Sequence, residues 1–166
     1  MDLDYIFRRR SIRKFNDEPL SDLQIKSILE AAMAAPSAHN NKPWHFIVIR
    51  ERKTLDRIAE VHPYGKMLFQ APLAVAVCGD TAVSSKRWDQ DCAAATENIL
   101  LALPELGLGG VWLGYYPRSN DEDFLKDIIS VPENIKVFSM VAIGHPDEEK
   151  IPRSQYEDIK IHFEQW

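Results

Sequence analysis

Apolar residues recur at helical spacing from Ser21 to Ala35, where Ile25, Ile28, Leu29, Ala32 and Met33 form one stripe. Ser21 with Gln24 makes a capping-box pattern at its start, and Pro36 ends it. Phe46-Ile-Val-Ile49 is short, apolar and rich in β-branched residues, which predicts a buried strand. A helix over about Lys53 to Val61 places Leu55, Ile58 and Ala59 on one face. After the turn Pro63-Tyr-Gly65, a strand is expected over Leu73 to Cys78, closed by Gly79-Asp80. A long helix follows from Trp88 to Leu106. Asp89 and Asp91 suit the positive end of its dipole, and Pro104 should kink or shorten its last turns. A strand from Gly110 to Leu113 comes next. A helix capped near Ser119 or Asn120 then carries Phe124, Leu125, Ile128 and Ile129 on one side, and the last strand runs from Val137 to Ile143.

Strands alternating with helices would favour a parallel, doubly wound sheet, but short apolar strands read alike in parallel and antiparallel sheets. Beyond Gly144 the pattern breaks down. Residues His145 to Trp166 are largely polar yet hold Tyr156, Ile159, Ile161, Phe163 and Trp166. Such a tail cannot bury those side chains alone, so it wraps its own domain or docks on a second subunit. A length of 166 residues with 45% hydrophobic content fits one domain with a real core. Cys78 and Cys92 both lie in apolar surroundings, which excludes a disulfide scaffold and points to a reducing, cytoplasmic location. The run from Met67 to Gly79 is too short to span a bilayer, and Asp2 and Asp4 sit where a secretory signal would need apolar residues. We therefore expect no membrane partner. A net charge of −5 argues against general nucleic-acid binding.

The motifs of metal, nucleophile and phosphate-loop enzymes are missing. The five histidines have no H-E-x-x-H spacing, there is no C-x-x-C, and neither a G-x-S-x-G elbow nor a Walker loop is present. Gly107, Gly109 and Gly110 stand between a helix and a strand, the reverse of the dinucleotide fingerprint. Two stretches are unusual. In Arg8-Arg-Arg-Ser-Ile-Arg-Lys14 five of seven residues are cationic in an acidic chain, with Ile12 and Phe15 as apolar anchors. Guanidinium forks and a hydroxyl match phosphate oxygens, so a packed segment of this kind wants an anion. The second, Ala35-Pro-Ser-Ala-His-Asn-Asn-Lys-Pro-Trp44, is a stiff loop offering Ser37, His39, Asn40 and Asn41. Lys150 and Arg153 add two cations in the tail.

Taken in order, Arg9-Arg-Ser-Ile-Arg13, a Pro-Ser-x-x-Asn loop ending in Pro-Trp, a long helix running into Leu106-Gly-Leu-Gly, and Ile143-Gly-His-Pro146 before Lys150 and Arg153 resemble the nitroreductase family of FMN-dependent oxidoreductases. The likeness spans Tyr5 to Trp166. It implies an α+β fold with a mixed, mainly antiparallel central sheet flanked by helices, one FMN-binding domain over residues 1–166, and an intertwined homodimer with FMN sites at the interface. It also implies roles for individual residues. Arg9, Arg10 and Ser11 match the positions that hold the FMN phosphate, and Lys150 and Arg153 those that close over it. Arg13 and Lys66 match positions near the flavin pyrimidine end, where a cation stabilises charge on the reduced ring. Ser37 and Asn40 resemble the loop reaching across from the partner, and Gly114 and Tyr115 the backbone beside the reactive edge of the ring. No catalytic residue and no metal ligand is implied, because the redox chemistry is the cofactor's.

The activity implied is hydride transfer from NADH or NADPH through FMN to a small oxidised acceptor, such as a nitroaromatic or a quinone, by a ping-pong mechanism. Alternatives are a relative with dehalogenase or enone-reductase chemistry, a flavin carrier or sensor without turnover, and a nucleic-acid accessory protein using Arg8 to Lys14. Lys42 departs from the family pattern, which more often has Gln before Pro-Trp.

Overall fold

The computed structural model describes residues 3–115 and 119–166, with the side chains of 119–122 also outside the described set. The cap expected near Ser119 or Asn120 falls outside the described residues. The described residues form five α-helices, α1 (Asp4–Arg8), α2 (Asp22–Met33), α3 (Arg52–Val61), α4 (Trp88–Ala102) and α5 (Ser119–Ile129), and four strands. The strands are β1 (Trp44–Ile49), β2 (Leu73–Asp80), β3 (Gly109–Gly114) and β4 (Ile135–Gly144). They form one sheet in the order β1-β2-β4-β3, with every neighbouring pair antiparallel. The fold is α+β.

The parallel reading fails for a physical reason. Helices cover both faces of the sheet, so its central strand has no polar side to reveal. Leu73 through Gly79 are buried without interruption, giving the continuous apolar run expected of a parallel sheet. On one face, Ala74, Ala76 and Cys78 of β2 pack with Leu55 and Ile58 of α3 and Leu125 of α5. On the other, Leu73, Val75 and Val77 pack with Ile25, Ile28 and Ala32 of α2 and Cys92, Ala95 and Ile99 of α4.

Local signals account for the element ends. Ser21 Oγ accepts the Gln24 amide, and the Gln24 side chain accepts the Ser21 N–H, completing the capping box. Pro104 shortens the long helix as expected: α4 stops at Ala102 and a 3₁₀ turn takes Pro104–Leu106, with Gly107 in the left-handed region at φ 70°. Two stripe residues depart from the pattern, since Met33 and Phe124 are exposed.

The N-terminal segment is packed against this scaffold. Ile12 and Phe15 are buried, and the Ile12 amide donates to the Gly110 carbonyl at 3.0 Å. Ser11 pairs with Gly110 as a parallel bridge, and Phe15 pairs with Pro146. A Cβ at Gly109 would lie 2.7 Å from Ile12, so the glycine is what admits the segment to the sheet edge. The tail is a different matter. Ile151, Ile159, Phe163 and Trp166 are all at least four-fifths exposed, so their side chains are not covered by their own domain.

Candidate functional site

Ser11 crosses the start of edge strand β3, and the residues around it alternate in direction. Arg8, Arg10 and Ile12 line one cleft of about 270 Å³ together with Leu100, Pro104 and Lys150. Arg9 and Ser11 are not part of that lining. The cations singled out in the sequence therefore form two sets.

The first set is engaged with the tail. Arg10 Nη1 donates to the Ile151 carbonyl, and Lys150 Nζ donates to the Ser11 carbonyl while lying 3.3 Å from Glu148 Oε1. The Arg153 amide donates to the Phe7 carbonyl at 3.2 Å. Basic groups from the two ends of the chain thus meet around Ser11. The second set keeps its donors available. The Ser11 hydroxyl and the Arg13 guanidinium have no partner among the described residues, and Arg9 Nε stands a loose 3.9 Å from Glu97 Oε1. Burial raises the Glu97 carboxyl above its ordinary value, with Arg9 opposing the shift. This half-buried pair leaves the Arg9 fork open to a stronger anion.

Gly114 ends β3. It is exposed, and a Cβ built on it would meet nothing within 4 Å, so the backbone here is open to a flat ligand. Gly114 is four residues from Gly110, the bridge partner of Ser11, which is about 13 Å along the strand. The Tyr115 ring is core and packs against His62, with centroids 4.8 Å apart and planes tilted by 59°, so only its backbone is left for the site. His62 Nε2 lies 3.4 Å from the Gly114 carbonyl. Lys66 opens a short 3₁₀ turn, Lys66–Phe69, and is exposed.

Ser37 and Asn40 sit elsewhere. Their turn is tied to the beginning of α4, where Asp91 Oδ1 accepts the Ala38 amide at 2.9 Å. Ser37 Oγ accepts the Lys42 amide at 3.0 Å. His39, Asn40 and Lys42 all have positive φ, near 50°, a strained path that needs such ties. The cleft beside Arg10 touches α4 at Leu100, nine residues beyond Asp91 and about 14 Å along the helix. Within one chain, then, Ser37 and Asn40 do not join the arginines.

Comparison with known proteins gives this arrangement a context. The model of the nitroreductase family matches residues 6–62 and 59–145. An Archaeoglobus fulgidus protein assigned to the NADH dehydrogenase/NAD(P)H nitroreductase class is 47% identical, over 99% of this chain and 98% of its own. The chain belongs to the nitroreductase family. A solved structure of the same class from Bacteroides thetaiotaomicron superposes with TM-score 0.96 at 40% identity, over 99% of this chain and 97% of that one. A nitroreductase-class protein from Desulfovibrio desulfuricans, solved in complex with FMN, superposes with TM-score 0.87 at 32% identity, over 99% and 96% of the two chains.

Family motifs do not reveal Glu148 or Asp91. Glu148 Oε1 accepts the Arg13 amide at 2.5 Å and the Lys14 amide at 3.3 Å, pinning the arginine segment to the tail. In the sequence it reads as one of an acidic run, and Asp91 as a helix-dipole residue; neither signal discloses a partner far along the chain. The Arg13 amide foremost, helped by Lys150, holds the Glu148 carboxyl below its ordinary 4.5, against a smaller effect of burial. A lowered carboxyl stabilises the folded state above its unfolded value, and the contribution is lost as pH falls through the folded one. We expect the Arg13 and Lys14 amides to lose hydrogen-exchange protection below about pH 4.5. In Glu148→Gln that pH dependence should be absent; a profile unchanged by the substitution would refute the link.

Proposed function

We propose that this chain is an FMN-dependent oxidoreductase that passes hydride from NADH or NADPH to a small oxidised acceptor such as a nitroaromatic or a quinone. The observation that carries the reading is a pair of neighbouring donors, the Arg9 guanidinium, held only by a loose 3.9 Å contact to Glu97, and the Ser11 hydroxyl, on a segment bridged to the start of β3. Guanidinium and hydroxyl donors of this kind suit a phosphomonoester, and open backbone lies about 13 Å away at Gly114. The residues fit FMN. Bound there, FMN supplies the two-electron chemistry, which is why the chain needs no nucleophile or acid–base dyad.

In this reading Arg9 and Ser11 hold the phosphate, with Arg10, Lys150 and Arg153 locking the tail against the same segment. Arg13 and Lys66 provide positive charge for the reduced ring. The Gly114 and Tyr115 backbone meets its reactive edge. Donor and acceptor use the same open face in turn, a ping-pong scheme. Ser37 and Asn40 belong to the site of a second copy, since the fold separates them from their own chain's arginines; the uncovered tail supports the same homodimer. The two free, buried cysteines suit the reducing cytoplasm. Burial raises the Cys92 thiol strongly, so it stays protonated and unreactive.

Purified protein should be yellow, and anaerobic NADH or NADPH should bleach its visible bands. Flavin that binds but stays oxidised with both would favour the carrier or sensor reading.

A further inference from the structure

Of the five histidines only His62 is buried, at 3% exposure, and the functional reading above gives it no part. It follows the end of α3 and lies between two pieces of backbone of opposite chemistry. Its Nδ1 accepts the Tyr64 amide at 3.1 Å, and its Nε2 lies 3.4 Å from the Gly114 carbonyl. An amide only donates and a carbonyl only accepts, so the pairing requires a lone pair on Nδ1 and the ring proton on Nε2. The Tyr115 ring packs against the imidazole and keeps it in this place.

Each contact leads to a residue of the proposed flavin site. On the Nδ1 side is the turn that runs into Lys66. The His62 carbonyl accepts the Gly65 amide at 3.0 Å, and the Gly65 carbonyl accepts the Leu68 amide at 2.9 Å. A Cβ at Gly65 would fall 2.9 Å from the His62 Cβ, so glycine is what lets the turn close on the histidine. Arg52, at the start of α3, ties the far end by donating to the Leu68 and Ala71 carbonyls. On the Nε2 side is the free edge of β3. Gly110 and Gly114 are four residues apart on one strand, so their backbone groups face the same edge. That edge is the outer one, because the Gly110 carbonyl accepts the Ile12 amide there, whereas the Tyr115 amide turns inward to the Phe138 carbonyl at 3.1 Å. With its carbonyl taken by His62, Gly114 shows the outer edge its amide, a donor.

We propose that His62 is a positioning residue for the flavin ring: one imidazole caps the Gly114 carbonyl, so that the edge of β3 presents a donor, and fixes the turn that carries Lys66. The inference rests on the functional reading above, which puts the ring beside both residues. Oxidised flavin carries acceptors along its reactive edge, a ring nitrogen and a carbonyl oxygen. A strand edge that shows an amide and no competing carbonyl matches them.

The test combines the state of the ring with flavin binding by conservative variants. Proton–nitrogen correlation spectra of histidine-labelled protein, assigned against His62→Gln, should show the His62 ring with one proton, on Nε2. His62→Phe keeps the packing and loses both bonds. It should weaken FMN and riboflavin alike by about three- to tenfold, because the effect is at the ring and not at the phosphate. His62→Gln, whose side-chain amide reaches as far as Nε2, should recover most of that loss. His62→Asn, which replaces Nδ1 alone, should recover little. A circular dichroism melt checks that each variant folds, and should His62→Phe not fold, the Gln and Asn variants carry the comparison. A proton found on Nδ1, or binding unchanged in His62→Asn, overturns the proposal. Equal weakening in all three variants also overturns it, since the packing of the ring and not its proton would then matter. Parent protein that takes up neither flavin would overturn the functional reading and this inference together, and absorbance tells that case apart.

Discussion

The double variant Arg9→Ala/Ser11→Ala is expected to lose bound flavin on purification. Each side chain offers donors that the fold leaves free, and a hydrogen bond to a charged group is worth about 1.5–3 kcal/mol. Two such losses come to about 3 kcal/mol or more, a weakening of FMN binding by about a hundredfold at least. The fold should survive, because the buried anchors of the segment, Ile12 and Phe15, are left unchanged. A fluorescence titration with FMN, beside a circular dichroism melt, separates the two effects. Arg10→Ala should behave differently. Arg10 holds the Ile151 carbonyl, so its loss should loosen the tail before it weakens the flavin. Equal flavin losses in Arg10→Ala and in the double variant would show that the division of these residues by their partners is wrong.

In the proposed dimeric reading, removing residues 154–166 should leave a monomer. Ile159, Phe163 and Trp166 are over 80% exposed on a segment with little regular structure of its own. Burying three such side chains on a second copy is worth about 1.5–3 kcal/mol each, so the tail alone contributes about 5 kcal/mol or more to association. Light scattering of the full chain should give twice 19.0 kDa, and the truncated chain should run at its own mass. Flavin should be lost with the dimer, because in the proposed reading Ser37 and Asn40 of one copy complete the site of the other. A full chain that scatters as a monomer and still holds FMN would remove the shared site.

Much of this architecture can be read along the chain. Periodicity and punctuation place all four strands and the longer helices to within a few residues, because each has a strong local cause: the Ser21–Gln24 box, Pro104, the β-branched run before Arg50. Strand direction has no local cause. β2 is covered on both faces, and a strand with no polar side carries no mark of its neighbours' polarity. The candidate site divides in the same way. Charge clustering picks out Arg8 to Lys14 at once, but the separation of Arg10 from Arg9 and Ser11 depends on how an extended segment crosses β3. Glu148 and Asp91 act through partners 135 and 53 residues away, a relation no spacing rule reports. The motif order supplied what spacing could not, namely the antiparallel sheet and the expectation that Ser37 and Asn40 serve another copy's site.

The measurement that bears most directly on the central claim is a paired titration of the flavin-free protein with FMN and with riboflavin, which differ only in the phosphate. The Arg9 guanidinium and the Ser11 hydroxyl, on a segment locked to the tail, should make FMN bind about a hundredfold more tightly or better, with riboflavin washing out on gel filtration. Equal affinity for the two flavins would contradict the account, because it would leave the arginine segment with no anion to hold.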